Sequence, residues 1–163
     1  MAKVFLSYAR EDADAARQLA ECVGRAGHDV WWDRHIQGGS RFTNEIDRAL
    51  KDADAVVVLW SDASVESAWV QDEAAEGRDS GRLVPVTIGD SRPPLGFRQF
   101  HAIGLGQWNG EGDPPQFEEL IAAIAKTSGS ELAAAPPEVG ARQRQHKASI
   151  CVLPFQNMSG DPE

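Results

Sequence analysis

Two periods of apolar residues alternate along the first 125 positions of the chain: short runs with little polar interruption, and longer stretches where apolar residues return every three or four positions. The first run, VFLS within Lys3 to Ser7, reads as a strand, and Ala16, Leu19, Ala20 and Val23 mark a helix from about Asp12. Gly24 and Gly27 loosen its end before a second strand, HDVWWD, from His28 to Asp33. After Gly38, Gly39 and Ser40, the positions of Phe42, Ile46, Ala49 and Leu50 predict the next helix. Ala55 to Trp60, AVVVLW, is continuous and β-branched, the mark of a strand buried on both faces of a parallel sheet. A helix from about Ser67 to Glu76 follows, then a fourth strand from Leu83 to Ile88, in which Pro85 points to an edge or an irregularity. A weak fifth strand covers Ala102 to Leu105, and Phe117, Leu120, Ile121 and Ile124 give an amphipathic helix over Pro115 to Ala125.

Strands alternating with helices at this spacing imply right-handed crossovers. The expected fold is α/β: a flavodoxin-like, doubly wound, five-stranded parallel sheet with helices on both faces. Ligands in such sheets sit beyond the carboxyl ends of the strands, so the loops after Ser7, Asp33 and Trp60 are where chemistry is to be sought.

The periodic pattern stops after the domain at 1–125. Residues 126–149 are rich in Ala, Gly, Pro and charge and read as a linker. Ile150 to Phe155, ICVLPF, is strand-like but has too little chain after it to find a partner, so 150–163 is expected to be the truncated start of a second domain, an unstructured tail here. Hydrophobic residues make up 42% of the chain and charged residues 25%, an ordinary globular balance. Without a signal-peptide pattern or an apolar run near the roughly 20 residues of a membrane helix, the chain reads as cytoplasmic with no membrane partner.

The net charge of −9 belongs wholly to the first domain, because 126–163 holds equal numbers of acidic and basic side chains. Such a surface repels phosphate backbones, which excludes nucleic acid as the main partner. A phosphate-bearing ligand would need local cations, for which Arg10, Arg34 and Arg41 are candidates. Cys22 and Cys151 offer neither a disulfide framework nor a metal knuckle, and His28, His35, His101 and His146 show no metal-ligand spacing, so no metal site is expected. Gly38-Gly39-Ser40 lacks the features of a Walker loop or a dinucleotide fingerprint, and Ser7 and Ser61 have no nucleophile elbow.

One pair stands out. Trp69 and Glu73, four residues apart, share a helix face. The competing reading makes Asp72, Glu73 and Glu76 a solvated acidic face with Trp69 in the core. Tyr8 and Arg10 follow the first strand at the crevice edge, although Arg10 could instead pair with Glu11 or Asp12. Asp33 ends the second strand, where it could bond a ligand hydroxyl or cap the surface. Gly39 belongs to a stretch whose amides could bind an anion or simply connect, and Phe42 could be a core anchor.

Taken together, VFLSYARED at 4–12, VWWDR at 30–34, GGSRF at 38–42, AVVVLWS at 55–61 and SAWVQDE at 67–73 resemble the bacterial Toll/interleukin-1 receptor (TIR) domain family over roughly the first 110 residues. The resemblance implies an enzyme that cleaves the nicotinamide-ribose bond of NAD, a substrate rather than a cofactor, to ADP-ribose or a cyclic ADP-ribose. It assigns Glu73 as the catalytic carboxylate and Trp69 to the nicotinamide or base pocket. Tyr8 and Arg10 would contact the nucleotide, Gly39 would lie in a loop that moves when domains associate, and Phe42 would line the cleft. Homotypic association with other TIR domains follows from the same likeness, as does a setting in signalling or bacterial immunity. The string SICVLPFQNMSGDPE resembles the start of TolB-like or tetratricopeptide-repeat regions. Two alternatives come from other classes. A non-catalytic TIR adaptor would act through assembly alone. A receiver-like phospho-acceptor ranks lower, because the acids after the first strand are displaced to Glu11 and Asp12.

Overall fold

The computed structural model describes residues 1–32 and 40–129, the side chains of 40–42 excepted. Among these residues five strands and five α-helices follow in the order β1 (Lys3–Ser7), α1 (Ala13–Arg25), β2 (Asp29–Trp31), α2 (Ser40–Asp52), β3 (Ala55–Trp60), α3 (Asp62–Glu66), α4 (Ala68–Asp79), β4 (Leu83–Thr87), β5 (Ile103–Gly104) and α5 (Phe117–Thr127). All strand pairs are parallel and the order is β2-β1-β3-β4-β5, the flavodoxin-like arrangement. β3 lies at the centre with every residue buried, as its unbroken apolar run requires.

Alternation along the strands sorts the core into two layers. Val4 and Leu6 of β1 and Ala55, Val57 and Leu59 of β3 pack with α1 and α5 through Leu19, Val23, Leu120 and Ile124. Phe5 of β1 and Val56, Val58 and Trp60 of β3 pack with α2 and α4 through Ile46, Leu50, Val70 and Ala74. The helix stripes meet these faces at i, i+3, i+4 and i+7 spacing.

Several expected boundaries shift for local reasons. α1 runs through Gly24 to Arg25, and Gly27, with a φ of 93°, supplies the left-handed turn just past its end. The second strand is shorter than expected, Asp29–Trp31, and Asp33 lies outside the described residues. A short helix, α3, precedes α4 because Ser61 and Ser64 cap it reciprocally: Ser61 Oγ accepts from the Ser64 amide at 3.1 Å, and the Ser61 amide donates to Ser64 Oγ at 2.7 Å. α4 then extends to Asp79, and α5 continues to Thr127. Pro85 corrects an expectation: it lies in an interior strand and in unbroken register with β3, opposite Val58, so it marks neither an edge strand nor an irregularity. Thr87 O accepts from the Leu105 amide, so the backbone of residue 85 faces the same side, where β5 pairs only Val86 and Thr87. The missing amide hydrogen costs no ladder bond there. Residues 130–163, which include most of the expected linker and the run at 150–163, lie outside the described residues.

Candidate functional site

β1 and β3 are neighbours in the sheet, but the chain leaves β1 towards β2 on one side and returns to β3 on the other. The crevice beyond their carboxyl ends is therefore the topological switch point, where doubly wound sheets bind ligands. Glu73 is brought to this place.

Val70, Glu73, Ala74 and Gly77 form the buried stripe of α4. Glu73 thus takes a position that the spacing reserves for an apolar residue, and it is only 4% exposed. Its carboxylate Oε2 accepts a hydrogen bond from Ser7 Oγ at the end of β1. Oε1 accepts from Trp69 Nε1 at 2.6 Å, one turn earlier on the helix. The competing arrangement, an acidic face outside and Trp69 inside, is inverted: Asp72 and Glu76 are exposed, Glu73 is buried, and Trp69 is 44% exposed.

Two contacts hold α4 where this geometry needs it. At its amino end Ser67 Oγ accepts from the Val70 amide, and Gln71 Nε2 donates to Val65 O at 2.6 Å, bracing the corner with α3. One turn beyond Glu73, a Cβ on Gly77 would stand 2.9 Å from Val56 Cβ. The helix therefore lies closer to β3 than a side chain at 77 would permit. Beyond it, Arg78 lies over the Phe97 ring at 5.2 Å, and Phe97 packs on Trp60.

The other expected site residues separate. Tyr8 is buried in the α1/α5 layer and its hydroxyl donates to Trp32 O at 2.9 Å, which ties β1 to the chain leaving β2. Arg10 is exposed in the short 3-10 turn Arg10–Asp12. Among the described residues no ion pair joins it to Glu11 or Asp12; the Asp12 carboxylate accepts from Ser61 Oγ instead. Burial pushes the Asp12 carboxyl above its usual range, with the Ser61 hydroxyl acting the other way. Asp33 and Gly39, together with Arg34, lie outside the described residues, as do the side chains of Phe42 and Arg41.

A second depression of about 530 Å³ opens beyond β3, β4 and β5, lined among others by Asp12, Asp62, Asp90, Ser91 and Asn109. Its carboxylates make it a poor seat for a pyrophosphate. Among the described residues no group of His, Cys, Asp and Glu could hold a metal ion, and no helix is long and apolar enough to cross a membrane.

Sequence reasoning passed over Ser7 and Gly77. Ser7 was legible as a polar residue in register with Phe5, and Gly77 as a glycine one turn after Glu73 on the buried stripe.

Comparison with known proteins gives a family. The family model described as a TIR domain matches residues 4–121. Among solved structures, the chain is similar to a metazoan TIR-STING receptor from C. gigas in complex with 2',3'-cGAMP, at 24% identity and a TM-score of 0.61, covering 74% of this chain and 38% of that one. The chain thus spans under two-fifths of that receptor's length. A conserved protein from Enterococcus faecalis V583 aligns at 14% identity and a TM-score of 0.47, covering 77% of this chain and 98% of that one. No curated protein matches. With the family model matched over most of its length and the sheet in the order described, the chain belongs to the TIR domain family.

Proposed function

We propose that this TIR domain is an NAD+ glycohydrolase in which Glu73 stabilises the positive charge that develops on the ribose as nicotinamide leaves. The observation that carries the reading is the burial of Glu73 at the β1/β3 switch point, with one carboxylate oxygen bonded to Ser7 and the other to the half-exposed indole of Trp69. A carboxylate is costly to bury, and a helix that needed only to pack would carry an apolar residue in that stripe. TIR domains in general serve in signalling or in NAD cleavage.

One carboxylate suffices for this chemistry. Sugars with alkoxide leaving groups call for an acid as well as a second carboxyl. The nicotinamide nitrogen of NAD+ is already cationic: the C–N bond breaks with its electron pair going to the ring, and nicotinamide departs neutral. What remains is an oxocarbenium-like ribose, which a fixed negative charge stabilises electrostatically. Water then bonds to the anomeric carbon and loses a proton to give ADP-ribose, or a nucleophile of the same molecule closes a cyclic ADP-ribose. Trp69 offers its exposed indole face to the base, and the exposed Arg10 is the described cation best placed for the pyrophosphate. Self-association with further TIR domains completes the cleft.

Incubating the purified chain with NAD+ at rising protein concentration and on a crowding support, with products resolved by chromatography, tests the reading. Release of nicotinamide that steepens with assembly and disappears in Glu73→Ala is the expected result. Turnover unchanged in Glu73→Ala would sink the mechanism. Absent turnover with self-association intact would leave the adaptor function.

A further inference from the structure

Position 7 breaks the pattern of the face it occupies. β1 sends Val4 and Leu6 towards α1 and α5, and Phe5 and Ser7 towards α4. Across the ladder Ser7 pairs with Val58, and the layer around it is built from Phe5, Val58 and Ala74. Ser7 is wholly inaccessible. An alanine would fill the same place with no polar group to satisfy, so the hydroxyl is there for its partner, Glu73 Oε2.

Ser7 and Trp69, which both donate to Glu73, differ in how they are held. Ser7 is fixed by strand register and sealed from water, whereas Trp69 stands at the solvent edge, 44% exposed, where a bound base would disturb it. The terminal torsion of a glutamate is broad and has no strong preference of its own. Without Ser7, Oε2 would lose the donor that strand register fixes, and misplacing a reacting group by about 1 Å can cost on the order of a hundredfold in rate.

We infer that Ser7 is the positioning residue of Glu73: it ties Oε2 to the end of β1 through the whole reaction, so that Oε1, on the Trp69 side, is the oxygen that meets the ribose. The inference rests on the glycohydrolase reading.

Two Ser7 variants test it. Ser7→Ala lowers kcat by about tenfold to a hundredfold while KM stays within about twofold, because substrate binding is left intact. Ser7→Thr keeps the hydroxyl and recovers most of kcat. A residue that only packs would give the reverse order, since the extra methyl of threonine overfills a sealed site and alanine does not. Independently of turnover, Ser7→Ala lowers the unfolding temperature of the parent but not of Glu73→Ala, where the acceptor is already gone. A parent that turns over NAD+ beside an equally active Ser7→Ala, or unfolding shifts that simply add, would overturn the assignment and leave the glycohydrolase reading standing. A parent inactive in every assembly state would remove both.

Discussion

On the α1/α5 side of the sheet, Val4, Leu6, Val57 and Leu59 meet Leu19, Leu120 and Ile124, all buried and all apolar, whereas the α2/α4 side sets Ser7 and Glu73 among Phe5, Val58 and Ala74. The second layer also holds the indole of Trp60, whose buried Nε1 has no hydrogen-bond partner among the described residues. Both layers rest on the same strands, so the difference lies in the use of alternate positions. One face is filled for stability. The other gives up apolar surface near the carboxyl ends to hold a paired carboxylate, and there the packing decides where a charge sits as well as how stable the fold is.

Equal damage to the two faces should therefore have unequal consequences. Leu19 is fully buried on α1, and Leu19→Ala is expected to cost about 2–5 kcal/mol of unfolding free energy through lost transfer and a residual cavity. NAD+ turnover per folded molecule, measured well below the lowered unfolding temperature, should stay within about twofold of the parent. A fall in turnover as steep as the fall in stability would break the separation of the faces.

Gly77→Ala is the matching lesion on the other side, smaller in stability and larger in activity. Alanine gains roughly 1 kcal/mol over glycine inside a helix, but its Cβ would stand 2.9 Å from Val56 Cβ, and overpacking of this kind costs about 1–3 kcal/mol. The contact outweighs the propensity because Val56 is a fully buried residue of the central strand and has nowhere to move. A net loss of up to about 2 kcal/mol is expected. The helix yields by moving away from β3, carrying Glu73 from Ser7, so kcat should fall by about tenfold or more. A Gly77→Ala variant less stable yet as active as the parent would show that the close approach serves packing alone.

The fold was legible because its signals are local. The unbroken run AVVVLW could only be a central parallel strand, and the stripes of α1 and α5 announced themselves at helical spacing. α3 was missed because its cap is a pair of serines rather than the usual serine and glutamate. The site was legible only in part. The Trp69 and Glu73 spacing gave a shared face but could not say which of the two pointed inward, since burial of an acid depends on a donor far away in sequence. That donor, Ser7, lies 66 residues earlier, and only the crossing of α4 over β3 towards β1 brings them together. Tyr8 follows Ser7 directly, but alternation sends it to the opposite layer. Gly77 carries no chemistry, and its role appears only when the helix is laid on Val56.

The smallest effect is expected at the amino end of the sheet, farthest from the site. His28 Nδ1 accepts from the Ala2 amide at 3.3 Å, and burial, then the charge of the chain's amino terminus, lowers its pKa from 6.5. The neutral ring is the form the fold prefers, while the unfolded chain takes up a proton as soon as the pH drops below about 6.5. The stability this group adds is thus complete above 6.5 and is lost as the pH falls from there through the lower folded value. His28→Asn keeps an acceptor without a titrating group. Its unfolding temperature should differ from that of the parent by a constant amount above pH 6.5, and the parent should then lose ground to it as the pH is lowered. Because the group stands at the end opposite the crevice, the variant's rate of NAD+ turnover should follow the parent's across the same range. Parallel unfolding curves would remove His28 as the source of the slope, and a shifted turnover profile would mean that the two ends of the sheet are coupled.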